Sequence, residues 1–71
     1  MDIKEKIGLR VKQLRKKAGL SQEALALKAG IDRTYVNSVE NGKRNVSIMN
    51  INKIAKALNI SLSNLFDSEI F

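Results

Sequence analysis

The sequence has no cysteine, no histidine and no proline, and aromatic residues make up only 4% of its 71 positions. Without cysteine and histidine there is no disulfide framework, no zinc site built on those ligands, no thiol nucleophile and no histidine-based triad. The absence of cysteine fits a reducing compartment. No apolar run approaches the roughly 18 residues of a membrane span. The opening Met1-Asp2-Ile3-Lys4 carries no apolar stretch of the kind a signal peptide needs, so a cytoplasmic, nucleoid-associated protein is expected. With neither proline nor a low-complexity or linker-like tract, residues 1–71 read as a single domain. The few carboxylates are scattered and no glycine-rich phosphate loop is present, so the sequence predicts neither an enzyme nor a cofactor, metal or small-molecule site.

What the sequence does have is positive charge. Thirteen Lys and Arg stand against seven Asp and Glu, a formal net charge of +6, with a pI near 10.0. The excess is uneven. Residues 1–20 hold seven basic and two acidic residues, whereas residues 57–71 hold no basic residue and two acidic ones, Asp67 and Glu69. A basic body with an acidic end suggests a polyanion on one side and a different partner on the other. Hydrophobic residues at 44% and charged residues at 28% are ordinary for a globular chain. A chain this short buries only about 60% of the surface it exposes when unfolded, so its core is thin and a second subunit can add stability.

Five helices and no strand follow from the pattern. Asp2 with Glu5 makes a capping box for a helix over about Ile3–Ala18, where Ile3, Ile7, Val11 and Leu14 form an apolar stripe and Gly19 provides the exit. Ser21 caps a second helix over about Gln22–Ala29, stopped by Gly30. A third follows Asp32 and runs to about Asn41, with Val36 and Val39 inward and Ile31 placed to staple onto Val36. After the polar loop Gly42-Lys43-Arg44-Asn45-Val46, Ser47 opens a fourth helix with Ile48, Ile51, Ile54, Ala55 and Leu58 on one face. Asn59 takes a left-handed exit, and Ser61 caps a short fifth helix containing Leu62, Leu65 and Phe66.

Ser21 to Asn41 is the informative segment. Two helices that cross steeply over a short turn must come close. Ala26 is small enough to allow it, Gly30 supplies positive φ for the turn, and Val36 and Val39 lock the second helix to the body. Together with Leu20-Ser21-Gln22-Glu23, Glu40-Asn41-Gly42 and Leu65-Phe66, this spacing resembles the helix-turn-helix of the lambda and 434 repressor family, the Cro/C1 or Xre type. The resemblance covers about Ile7 to Phe66 and implies an all-α, five-helix, lambda-repressor-like DNA-binding domain. Asp32-Arg33-Thr34-Tyr35-Val36 and Glu40 to Ile48 are similar to the controller proteins of restriction–modification systems, small dimers that regulate their own and the endonuclease gene. Phage-type repressors, mobile-element regulators and antitoxin-like repressors share most of these features. A protein-interaction adaptor on the same fold is the reading of a different class, and it would expose apolar rather than basic residues on the reading face.

Double-stranded operator DNA is therefore the expected partner. Arg33 and Thr34 open the recognition helix, where residues contact base edges in this geometry. Arginine pairs bidentately with guanine, and threonine bonds a base edge or touches a thymine methyl. Asn37, by analogy with the controller proteins, and Ser38 lie one turn further along as readers, and Arg44 reaches a base or a narrow minor groove. Gln22, Tyr35, Lys43 and Asn45 are expected at the DNA backbone; for Gln22 the resemblance implies a phosphate contact at the free N–H groups of a helix start. The family resemblance also implies a structural ion pair between Arg15 and Glu40.

A single recognition helix reads few base pairs, and two half-sites about one turn apart supply the rest. A homodimer is therefore expected, joined through a surface in about residues 47–71. Leu62, Leu65, Phe66, Ile70 and Phe71, flanked by Met49 and Asn52, form an apolar set larger than a thin end needs for its own core. RNA polymerase is a further candidate partner, and no membrane contact is expected. Leu9 and Leu27 are off-phase and carry no assigned role.

Overall fold

Five Ser and Asp residues stand where helices must begin, and a helix begins after each. The computed structural model describes residues 1–71, folded into α1 (Ile3–Lys17), α2 (Gln22–Ala29), α3 (Arg33–Glu40), α4 (Ile48–Ala57) and α5 (Leu62–Phe66). The first free N–H groups of a helix lack partners within it, and side-chain oxygens supply them. Asp2 accepts from the Glu5 N–H at 2.9 Å while the Glu5 carboxylate accepts from the Asp2 N–H at 3.0 Å, which completes the capping box. Ser21, Ser47 and Ser61 each accept from the N–H three residues on, and Asp32 accepts from that of Thr34. At the exits, Asn59 takes φ 59°, the only non-glycine residue in the left-handed region.

The core draws on every helix: Val11 from α1, Leu25 and Ala26 from α2, Val36 and Val39 from α3, Ile51, Ile54, Ala55 and Leu58 from α4 and its cap, and Leu65 from α5. Helix α1 packs on α3 and α5, α2 on α3 and α4, and α4 on α5. Only 14 of 71 residues are buried, so single contacts between helices carry much of the architecture. One is at Gly8. A Cβ there would overlap the Val39 carbonyl oxygen and crowd the Glu40 carbonyl. Glycine lets α1 lie directly against the end of α3. On another face of α1, Arg10 donates to the carbonyls of Leu65 and Asn64, each at 2.8 Å, and of Asp67 at 3.3 Å. Asn64 and Leu65 stand in the last turn of α5 and Asp67 is its cap, so one guanidinium ties α1 to the end of α5.

Three expectations are corrected. Ile3 and Ile48, counted in the inward stripes of α1 and α4, are 58% and 70% exposed; each is the first residue of its helix, beyond the reach of the packed neighbours. Leu65, expected in the dimer surface, is fully buried. It lies in the core while Phe66, about 100° further around the helix, faces out. Leu65 therefore offers no surface to a partner.

Candidate nucleic-acid interface

The α2–turn–α3 unit puts a polar face outward by burying everything else. Ala26, 3% exposed, permits the close crossing, and Gly30 turns the chain at φ 68°. Val36 and Val39 are buried in the core behind α3. Arg33, Thr34 and Asn37 are exposed in front of it. With Gln22 at the start of α2 they line an open concavity of ≈ 270 Å³ that contains no hydrophobic residue. Such a cleft offers guanidinium, hydroxyl and two amides, the donor and acceptor types that base edges and phosphates pair with.

Behind the cleft lies an ion pair. Arg15 Nε donates to Glu40 Oε2 at 2.7 Å and Nη2 to Oε1 at 3.0 Å, a two-pronged arrangement between side chains that are nearly buried. Arg15 Nη1 also donates to the Leu20 carbonyl at 2.8 Å and so holds the α1–α2 loop. The hydrogen bond Arg15 donates to Glu40 lifts the Arg15 pKa above its ordinary value; the loss of solvent opposes this and the Glu40 charge reinforces it. No buried side-chain polar atom lacks a partner. This pair, expected to be structural only, is joined to the reading residues. Gln22 Nε2 donates to Glu40 Oε1 at 3.1 Å, Asn37 Nδ2 donates to Gln22 Oε1 at 3.1 Å, and Asn41 Nδ2 donates to Asn37 Oδ1 at 3.1 Å. Only the last link, at i and i+4 on one helix, is legible as spacing.

The loop after α3 adds charge. Lys43, Arg44 and Asn45 are exposed, and the Arg44 guanidinium lies 4.7 Å from the centre of the Tyr35 ring. Tyr35 is half-buried, with its ring as a platform that draws Arg44 toward the recognition helix. Ser38 is half-buried, and its carbonyl accepts from the Lys43 N–H at 3.0 Å, which ties the loop to α3. Glu40 is neutralised by Arg15, so Arg33, Lys43 and Arg44 set a positive field over this face.

Exposed apolar residues stand on α4, α5 and the tail. Ile48 and Met49 at the start of α4 are each 70% exposed, and Phe66 and Phe71 are 38% and 39% exposed with ring centroids 5.2 Å apart. Asn52, Leu62 and Ile70 are half-buried. Ile48, expected on the inward stripe of α4, is as exposed as Met49 beside it. No helix is long and apolar enough to cross a membrane.

A helix-turn-helix family model matches residues 11–65. The control protein C.MunI of a Mycoplasma species is 54% identical over 66 residues, which cover 92% of this chain and 89% of that protein. The control protein C.BamHI of Bacillus amyloliquefaciens is 46% identical over 84% of this chain and 75% of its own length. Among solved structures, the restriction–modification controller protein C.AhdI of Aeromonas hydrophila superposes with a TM-score of 0.86 at 52% identity, covering 89% of this chain and 96% of that one. The controller protein C.Esp1396I, as a tetramer in complex with its natural 35 base-pair operator, superposes at 0.89 with 33% identity, over 94% and 88% of the two chains.

Proposed function

This chain belongs to the helix-turn-helix family, beside the restriction–modification controller proteins, and we propose that it is itself such a controller: a cytoplasmic homodimer that binds a palindromic operator and regulates its own gene and that of an endonuclease. The observation that carries this reading is the wholly polar cleft at the start of α3, lined by Gln22, Arg33, Thr34 and Asn37. An adaptor would present apolar side chains there. Arg33 and Thr34 read bases with Asn37 and Ser38. Gln22, Lys43 and Asn45 hold phosphates, and Tyr35 steers Arg44 toward the groove. The dimer forms through Met49, Asn52, Leu62, Phe66, Ile70 and Phe71, joined by Ile48. The tetramer on 35 base pairs formed by C.Esp1396I fits two dimers side by side on one promoter. Contact between a bound dimer and RNA polymerase would turn occupancy into activation.

The test is selection of binding sites from a random DNA pool at stated salt, since affinity for DNA is salt-dependent. A pseudo-palindrome with half-sites about 10 base pairs apart, or a multiple, is expected. Two such palindromes in tandem distinguish a controller from a simple repressor. Failure to enrich any sequence would overturn the proposal.

A further inference from the structure

We propose that the Glu40 carboxylate fixes the direction in which the Asn37 amide faces DNA, acting through Gln22. The inference rests on Asn37 being a reader, as proposed above. A carboxylate accepts hydrogen bonds and cannot donate. Glu40 Oε1 lies 3.1 Å from the Gln22 amide, so the atom turned toward it must be Nε2. Gln22 Oε1 is thereby turned toward Asn37, where it needs a donor, and Asn37 meets it with Nδ2 at 3.1 Å. The Asn37 oxygen then lies on the far side and accepts from Asn41 Nδ2. An isolated amide has two orientations of nearly equal shape. Tied end to end to an acceptor-only group, these three have one. Glu40 does not turn, because Arg15 holds both of its oxygens, at 2.7 and 3.0 Å.

Base reading inherits that direction. After its two internal bonds Asn37 keeps one N–H and one oxygen lone pair, with the nitrogen toward α2 and the oxygen toward Asn41. The major groove presents acceptor, donor, acceptor across A·T and acceptor, acceptor, donor across G·C. An amide held one way fits one order of acceptor and donor. An amide free to turn over fits both, so it tolerates more bases. Glu40 is thus a positioning residue for sequence choice, in addition to its part in the ion pair.

The experiment compares binding-site selections by four proteins: wild type, Asn37→Ala, Glu40→Gln and Gln22→Met. Asn37→Ala identifies the half-site position that this residue reads. Glu40→Gln replaces the acceptor-only anchor by an amide that can turn over. Gln22→Met cuts the chain while leaving the Arg15–Glu40 pair in place, so the test survives if Glu40→Gln melts too low to assay. Both are expected to flatten the preference at the Asn37 position by about tenfold. Gln22→Met also weakens binding to every sequence alike through its lost phosphate contact. A uniform loss with that preference intact overturns the proposal, and so does an Asn37→Ala protein with wild-type preferences; operator selection by the wild type stands in either case. A wild type that selects no sequence removes the functional reading, and this one with it.

Discussion

The two ends of the molecule are held in opposite ways. Around α2 and α3, the amides of Gln22, Asn37 and Asn41 are fixed by hydrogen bonds to one another and to a buried ion pair. Around the start of α4, α5 and the tail, exposed apolar side chains are fixed by almost nothing; Phe66 and Phe71 lean on each other, and Met49 extends into solvent. A surface that must recognise a patterned polar ligand benefits from being ordered beforehand, because ordering at the moment of binding weakens it. A surface that gains from non-directional burial does not need that order. The amide network of the first end is therefore complete as it stands, and the second end is completed by whatever covers it.

Removing the ion pair breaks the comparison most severely. Glu40→Ala leaves the Arg15 charge buried without a partner, and a loss of about 3–5 kcal/mol is expected. In a domain of this size that lowers Tm by roughly 15 °C or more, which calorimetry would read directly. A loss under about 1 kcal/mol would mean that the pair behaves as if exposed. The raised Arg15 pKa means its share of this stability is present below the ordinary arginine value and is lost only as pH rises through the raised one. Melting curves from about pH 6 to 9 should therefore show no titration of Arg15.

At the apolar end, the double substitution Phe66→Ser with Phe71→Ser is expected to weaken self-association by about thirtyfold, or ~2 kcal/mol. Sedimentation equilibrium measures this; an unchanged monomer–dimer balance would place the interface elsewhere. Arg33→Ala probes the polar end alone. It should cost about 1–3 kcal/mol of discrimination at one base position and leave stability changed by no more than roughly 0.5 kcal/mol. Competition binding against single-base operator variants resolves the two. The smallest effect is expected for Lys43→Ala, which should weaken all sequences alike and reduce the slope of log affinity against log salt by about 1. A slope that does not move takes Lys43 out of the interface.

The helices and their limits were legible because their causes are local. Each N-cap lies within three residues of the N–H it serves, and the exits at Gly19, Gly30, Gly42 and Asn59 depend on backbone angles alone. The cleft residues were legible as a set because α3 is amphipathic at a spacing that separates Val36 and Val39 from Arg33, Thr34 and Asn37. What remained hidden was tertiary. Gly8 reads as an ordinary weak point of a helix until Val39 is seen against it. Arg10 is one of several surface cations by sequence, and the carbonyls it serves lie more than fifty positions away. Gln22 and Asn37 are fifteen residues apart on different helices, so no periodicity links their amides. Leu65 and Phe66 are adjacent and both apolar, and only the packing of α5 on α1 and α4 decides which is core.

Gly8 and Arg10 are two residues apart on α1, so they point to nearly opposite sides of the helix. One side touches the end of the recognition helix and the other grips the end of α5. The two contacts lie about 3 Å apart along the axis, so α1 is a spacer one helix diameter wide, about 10 Å, between the recognition helix and α5. In a dimer joined through α5, the offset from the subunit contact to each recognition helix is then set by this spacer and not by a flexible joint. Each inserted base pair displaces a half-site by about 3.4 Å and turns it by roughly a tenth of a revolution. Such a protein counts base pairs between half-sites as strictly as it reads the bases within them.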